Sequence, residues 1–272
     1  MTLTVLTQNV YSQEQQVNST KYTAHNKGKM YIYWGGNRDS YTNSDIHFKG
    51  SNYDFTLHDV AAVDRPVGWH VDYINPAKMT IPQTNFRLGY FINDHYNISI
   101  GVDHMKYVMV QSQSARITGN YPNIYNSTVI NNGVVDLTNE SFLTFEHTDG
   151  LNYVNSEFSR VDDISKIFKI NDTDKIQISL TEGVGAGILY PKTNVMLMGK
   201  ERHDDFNVAG FGVSAKAGLN ITFFKHYFIQ GELKGGYINM PNIKTTFDNS
   251  DSASQHFMFF ERVIAFGGIF QL

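Results

Sequence analysis

The closing stretch, Phe257 to Leu272, constrains this chain more than any other part of it. Taken in twos from the end, Leu272, Phe270, Gly268, Phe266 and Ile264 fall on one side, and Gln271, Ile269, Gly267, Ala265, Val263 and Glu261 on the other. Successive side chains of a β-strand point to opposite faces, so this is period-two amphipathicity. One face is bulky and apolar; the other is small, with a charge at its upper end. An apolar face for lipid and a small or polar face for a lumen is the pattern of a strand in a transmembrane β-barrel.

The rest of the composition suits that reading. Charged residues make up 18% of the 272 residues, below the roughly 25% usual in soluble domains. The 19 Phe and 16 Tyr fit aromatic girdles, and the 22 Gly against 6 Pro fit strands joined by polar loops. A net charge of −4 gives no electrostatic case for nucleic acid. The absence of cysteine excludes disulfides, thiolate metal sites and cysteine nucleophiles. No apolar run approaches the length of a transmembrane helix. Gly183, Gly185 and Gly187 lack the lysine and following helix of a nucleotide loop, and read as a strand that bends or admits a close neighbour. No cofactor or metal is expected, although His203-Asp204-Asp205 and Asp248 to Asp251 place oxygen ligands suited to calcium in loops.

Residues 1–12 read as the remnant of a secretory signal peptide, and 13–27 as a polar periplasmic lead-in. The barrel is expected over 28–272. Strands are expected at 29–37, 84–93, 95–110, 141–160, 175–190, 207–223, 227–240 and in the closing stretch. Asp45–Lys49 and Tyr53–Leu57 form a hairpin around Gly50, Ser51 and Asn52. Outer-membrane-type barrels have short periplasmic turns and longer external loops. The tight turns at 93–95 and 225–226 are therefore periplasmic, and 111–140, 191–205 and 241–254 are external loops. The stretch 38–83 becomes one long first external loop. The result is an all-β, antiparallel barrel of eight strands, or ten if the 45–57 hairpin enters the bilayer.

Alternation places Arg87, Asp103, Lys216, Gln230, Glu232, Lys234 and Glu261 inside. An eight-stranded barrel has a lumen just wide enough for side chains to fill, and buried charges persist when paired. Three acids and three bases make a closed lumen charge network. The lipid side carries polar residues towards the external ends of three neighbouring strands. His104 and Lys106 continue the apolar face of 95–110. With Leu151 and Tyr153 outward, His147 and Asp149 face outward too. Glu182 continues the face of Ile176, Ile178 and Leu180. Two imidazoles and carboxylates near outer headgroups are a candidate general-base cluster, or else an interfacial belt.

The terminal hydrophobic residue with aromatics at alternate positions resembles the C-terminal signal of bacterial outer-membrane barrels. In form the chain resembles small Gram-negative outer-membrane barrels of the OmpA and OmpW type, over about 28–272. The phrases Val102 to Tyr107 and Glu146 to Asn152 resemble the sites of outer-membrane lipid A deacylases and phospholipases. By that resemblance His147 is the catalytic base and Glu182 its orienting partner, with His104 nearby; the nucleophile position carries Asp149 in place of serine. The leading expectation is a cell-surface barrel with a plugged polar lumen and a structural or binding role through its external loops. A lipid-modifying hydrolase and a narrow pore for small solutes stay open. The partners expected are outer-membrane lipids and another outer-membrane or surface protein, with no nucleic acid.

Overall fold

The computed structural model describes residues 25–66, 83–200 and 205–271. The signal-peptide remnant, most of the lead-in, and His203 and Asp204 lie outside these residues. In chain order the strands are β1 (Lys29–Tyr41), β2 (Ser44–Lys49), β3 (Asp54–Val60), β4 (Ala62–Val63), β5 (Thr84–Phe91), β6 (Tyr96–Met109), β7 (Ser114–Asn120), β8 (Ile124–Tyr125), β9 (Thr128–Val129), β10 (Val134–Asp136), β11 (Leu143–Asp163), β12 (Ile176–Leu189), β13 (Asn194–Leu197), β14 (Gly210–Phe223), β15 (Tyr227–Lys244) and β16 (Ser252–Gln271).

Eight of them close a ring in the order β1-β5-β6-β11-β12-β14-β15-β16, with β16 pairing back to β1. Every pairing is antiparallel. The closing stretch of the sequence is thus the strand that seals the wall. Cross-strand partners followed once round from Met30 pass through Tyr90, Ile98, Phe158, Val184, Ala215, Gly235 and Phe260. They return to β1 at Ser40, ten residues further on. Stagger and tilt are linked in a closed barrel, and strands of such barrels typically tilt by about 35–45°.

Alternation along each strand sorts side chains by solvent. Ile98, Ile100, Phe158, Val184, Leu219, Ile229, Ile264 and Phe266 project outward and are exposed, forming the apolar belt. Arg87, Asp103, Glu157, Lys234 and Glu261 project inward and are buried. The expected eight strands are present, with the lumen and lipid faces as expected on every one but β11, and the hairpin of β2 and β3 stays out of the ring, which excludes ten.

The external side is more ordered than the sequence suggests. β2 pairs with Ser252–Gln255 of β16, β3 pairs with β2 and with β7, and β7 pairs with β10. β13 pairs with the upper end of β11, and β4 with the upper end of β6. The wall therefore continues above the membrane as a second storey. The expected loops 111–140 and 191–205 contain strands, because short apolar alternations are embedded in their polar runs. Ala115 and Ile117 in β7, Val135 in β10, and Val195 and Leu197 in β13 all turn inward and are buried. They join Ile46, Phe48, Phe55 and Leu57 of the hairpin and the inward residues Met105, Tyr107, Phe145, Leu151, Ile238 and Phe257 in one apolar core. Burying a large apolar side chain stabilises by roughly 1.5–3 kcal/mol, so this storey has a driving force of its own. His47 bonds Asp54 across the hairpin at 2.7 Å, and that bond holds the Asp54 carboxyl below its ordinary range.

Phe55 stacks on Phe48 with ring centroids 5.3 Å apart and meets Tyr53 and Phe142 at 5.9 and 6.3 Å. Truncating a buried Phe to Ala costs about 3–5 kcal/mol. Phe55→Ala is expected to open the storey to limited proteolysis within 45–60, while the barrel below keeps its folded, fast-migrating band on unheated gels.

Candidate functional site

Along the barrel axis the lumen has three zones. The periplasmic zone is a narrow recess with a cavity of about 40 Å³, lined by amide side chains such as Asn97, Gln177, Asn220 and Gln230 over Tyr31 and Phe228. The uppermost zone is the apolar core of the external storey. Between them lies a charged layer.

Lys234 is the hub of that layer. Its ammonium lies 2.7 Å from Asp103, 3.0 Å from Glu157, 3.6 Å from Glu232 and 3.8 Å from Glu261. Arg87 reaches Glu157 at 3.0 Å and Asp103 at 3.4 Å, and bonds Tyr33 Oη, Ser99 Oγ and Asn155 Oδ1. Lys216 bridges Glu157 and Glu232, at 2.5 and 3.0 Å. Asn85 donates to both Asp103 and Glu261, and Asn155 donates to Asp103. The pairs of Lys234 with Asp103 on β6 and Glu157 on β11 cross the lumen, while those with Glu232 and Glu261 stay on β15 and its neighbour β16. Arg87, Asp103, Lys234 and Glu261 are fully buried.

All the lumen charges expected from sequence meet here, and Gln230 bonds Glu232 Oε2 at 2.8 Å. Glu157 and Asn155 were not among them, and the layer holds four carboxylates against three cations. The reason is the facing of β11. Leu151 and Tyr153 point inward and are buried, which turns Asn155, Glu157 and Ser159 to the lumen as well. The strand β12 supplies no charge but supplies room. A Cβ on Gly185 would sit 2.9 Å from Glu157 Cγ, and one on Gly187 2.6 Å from Asn155 Cβ. The glycine run admits these neighbours.

The outward cluster does not assemble. His147 faces inward and is buried between Tyr107 and Phe145, and its Nδ1 shares a 2.9 Å hydrogen bond with Thr193 Oγ1. The register between β6 and β11 shifts from His147 to Leu151, so Thr148, Asp149 and Gly150 bulge out opposite Lys106 alone. Asp149 is exposed on this bulge and pairs with Lys192 at 3.3 Å. His104 and Lys106 hold the outward register but are buried; His104 Nδ1 bonds Asn152 Oδ1 at 2.7 Å. Glu182 does face outward, opposite Arg160. Arg160 lies on β11 thirteen residues beyond His147. At about 3.3 Å per residue that is more than about 30 Å away. Among the described residues no group of three or more His, Cys, Asp or Glu is arranged to hold a metal ion. In the Asp248–Asp251 turn, Asp251 is instead bonded by Lys200 and Thr246.

No protein-family model and no curated protein matches the chain. Among solved structures it is similar to the outer membrane protein OprG from Pseudomonas aeruginosa, at 8% identity over 91% of this chain and 98% of that one, with a TM-score of 0.36. It is also similar to Ail, the attachment invasion locus protein of Yersinia pestis, at 10% identity over 90% and 99%, with a TM-score of 0.29. Neisserial surface protein A matches at 12% identity over 86% and 98%, with a TM-score of 0.28. The architecture stands on its own geometry, a closed antiparallel ring that is polar within and apolar without. The protein is a transmembrane β-barrel of the outer-membrane type. Its lumen at mid-height is filled by side chains of the wall itself.

Removing one partner of a buried ion pair costs about 3–5 kcal/mol, because the remaining charge is left uncompensated. Lys234→Met is therefore expected to lower the unfolding free energy of the refolded barrel, read from its urea titration, by an amount in that range. Lys216→Met, beside the periplasmic recess where water can reach the carboxylates, is expected to lower it less.

Proposed function

We propose that this protein is a surface-binding barrel in which the external storey is the working part and the membrane ring is its anchor. The observation that carries this reading is an apolar tip held out in water. Ile124 and Val129 face each other across the β8–β9 hairpin and are 66% and 52% exposed. Val134 of β10, which packs beside β9, is 45% exposed. These side chains lie in the external segment between β7 and β11 and are left in contact with water. Clustered apolar side chains exposed to water mark interaction sites.

The storey beneath supports this role. A segment tethered only at its ends would lose much conformational entropy on binding. Here β7 and β10 are hydrogen-bonded into the continued wall and anchored by Ile117 and Val135 in the apolar core. The β8–β9 hairpin rises from this braced base, so less ordering is left for the binding event. An apolar patch of this kind suits a protein partner with a complementary apolar surface.

Bacteria displaying the barrel are expected to adhere to one another or to protein-coated surfaces more than bacteria without it. Ile124→Asp together with Val129→Asp, exported and folded to the same level, is expected to remove most of that gain. Equal adherence by the double variant, or no adherence conferred by the wild type on any protein surface, would refute the reading.

A further inference from the structure

One cation of the wall has no place in the lumen network. Arg262 lies on the outward face of β16, in a column that runs Met258, Phe260, Arg262, Ile264, Phe266, and it is exposed. Its neighbours across the two adjoining pairings are Leu233 on β15 and Arg38 on β1. Arg38 shares the outward register, so two guanidinium groups stand directly opposite each other within the apolar belt. Arg38 lies within electrostatic reach of Asp64 and donates to the carbonyl of Asn37 at 2.6 Å. Among the described residues Arg262 donates to Ser40 Oγ at 3.3 Å and pairs with no carboxylate.

This arrangement is unfavourable as it stands. Like charges directly opposite on one face of a sheet repel. An arginine on the lipid face costs about 2–4 kcal/mol at the midplane and about 0–1 kcal/mol at the interface. Arg38 lies towards the external end of β1 and Arg262 stands opposite it at the same height, so their long stems can carry the guanidinium groups up to the headgroup level. There they present forked, charged donors beside a hydroxyl. That donor set matches a phosphate, which arginine binds bidentately.

The wall next to this trio is hollowed. A groove runs from Ser40 past Phe260 and Met258 to Gly235, Ala215 and Val213. It exists because the outward position of β15 beside Phe260 is Gly235 and carries no side chain. A Cβ at Gly235 would meet nothing closer than the carbonyl oxygen of Phe259 at 3.8 Å, and one at Gly231 would meet nothing within 4 Å. The glycines therefore satisfy no packing demand of the barrel, unlike Gly185 and Gly187. An apolar trough beside an anion fork at the boundary of the outer leaflet fits a molecule with both parts.

We propose that Arg262, Arg38 and Ser40 bind the phosphate of a phosphorylated, acylated glycolipid of the outer leaflet, with an acyl chain lying in the trough over Gly235. The phosphate offsets the repulsion between the two arginines, and the chain fills space that other lipids leave poorly packed.

The test uses the full chain folded into zwitterionic phospholipid nanodiscs carrying a small fraction of lipid A. After extraction into mild detergent, native mass spectrometry counts retained glycolipid. The wild type is expected to retain it. A charge-assisted hydrogen bond is worth about 1.5–3 kcal/mol, so Arg262→Gln should lower retention about tenfold or more. Arg262→Lys, which keeps the charge and loses the fork, should recover it only in part. Gly235→Leu, whose Cβ would meet nothing in the wall closer than 3.8 Å, should lower retention while leaving the folded band on unheated gels unchanged. Dephosphorylated lipid A should be retained no better by the wild type than by Arg262→Gln. Three results would overturn the proposal. They are unchanged retention in Arg262→Gln, equal retention of phosphatidylglycerol in place of lipid A, and displacement of the glycolipid by inorganic phosphate at equal concentration, which would reduce the site to an anion site without a chain.

Discussion

The ammonium of Lys234 lies within 4 Å of four carboxylates contributed by β6, β11, β15 and β16. A charge in a lumen this narrow is stable only when partners surround it, and the partners must come from opposite walls. That requirement ties the ring together across its diameter. It also fixes register, because a one-residue slip of any stave would turn its charge out to lipid. Arg87 and Lys216 repeat the arrangement on either side, Asn85 donates to Asp103 and Glu261, and Asn155 donates to Asp103. The layer is at once the cross-brace of the barrel and the plug in its lumen.

From that closure the rest of the organisation follows. With side chains filling the mid-height lumen, the periplasmic recess and the external storey do not communicate through a channel. The inward faces above the layer change from charged to apolar within a turn or two of each strand, as at Tyr153 and Leu151 above Asn155, or at Phe259 and Phe257 above Glu261. Those faces supply half of a hydrophobic core, and the segments that follow β1, β6 and β12 supply the other half. The external storey is therefore a folded continuation of the wall.

Much of this was legible in the sequence, and the exceptions have physical causes. Lipid imposes period two over long stretches, so the eight ring strands, the seal at the C-terminus and six of the lumen charges could be read from alternation alone. The facing of β11 was misread because Leu151 and Tyr153 are apolar yet belong to the core of the external storey. Lower on the same strand the alternation of Val154 and Phe158 with Asn155, Glu157 and Ser159 carried the correct parity. The glycines of β12 pointed to the same place, since they stand where Glu157 and Asn155 need space. The external strands were hidden for a different reason. They are short, one side faces water, and single inward residues such as Ile117, Val135 and Val195 sit among Asn, Ser and Thr. The pairing of His147 with Thr193, rather than with Glu182, follows from the same parity and from the bulge at Thr148 to Gly150, which no spacing in the sequence announces.

Electrical recording from the purified barrel in planar bilayers tests the closed lumen most directly. A lumen braced by Lys234, Arg87 and Lys216 predicts no stable conductance steps at either polarity, in low or high salt. Long-lived open steps that vanish when the protein is absent and that shift in size with Lys234→Met would contradict it, and would move the working part of the molecule from its external storey to its interior.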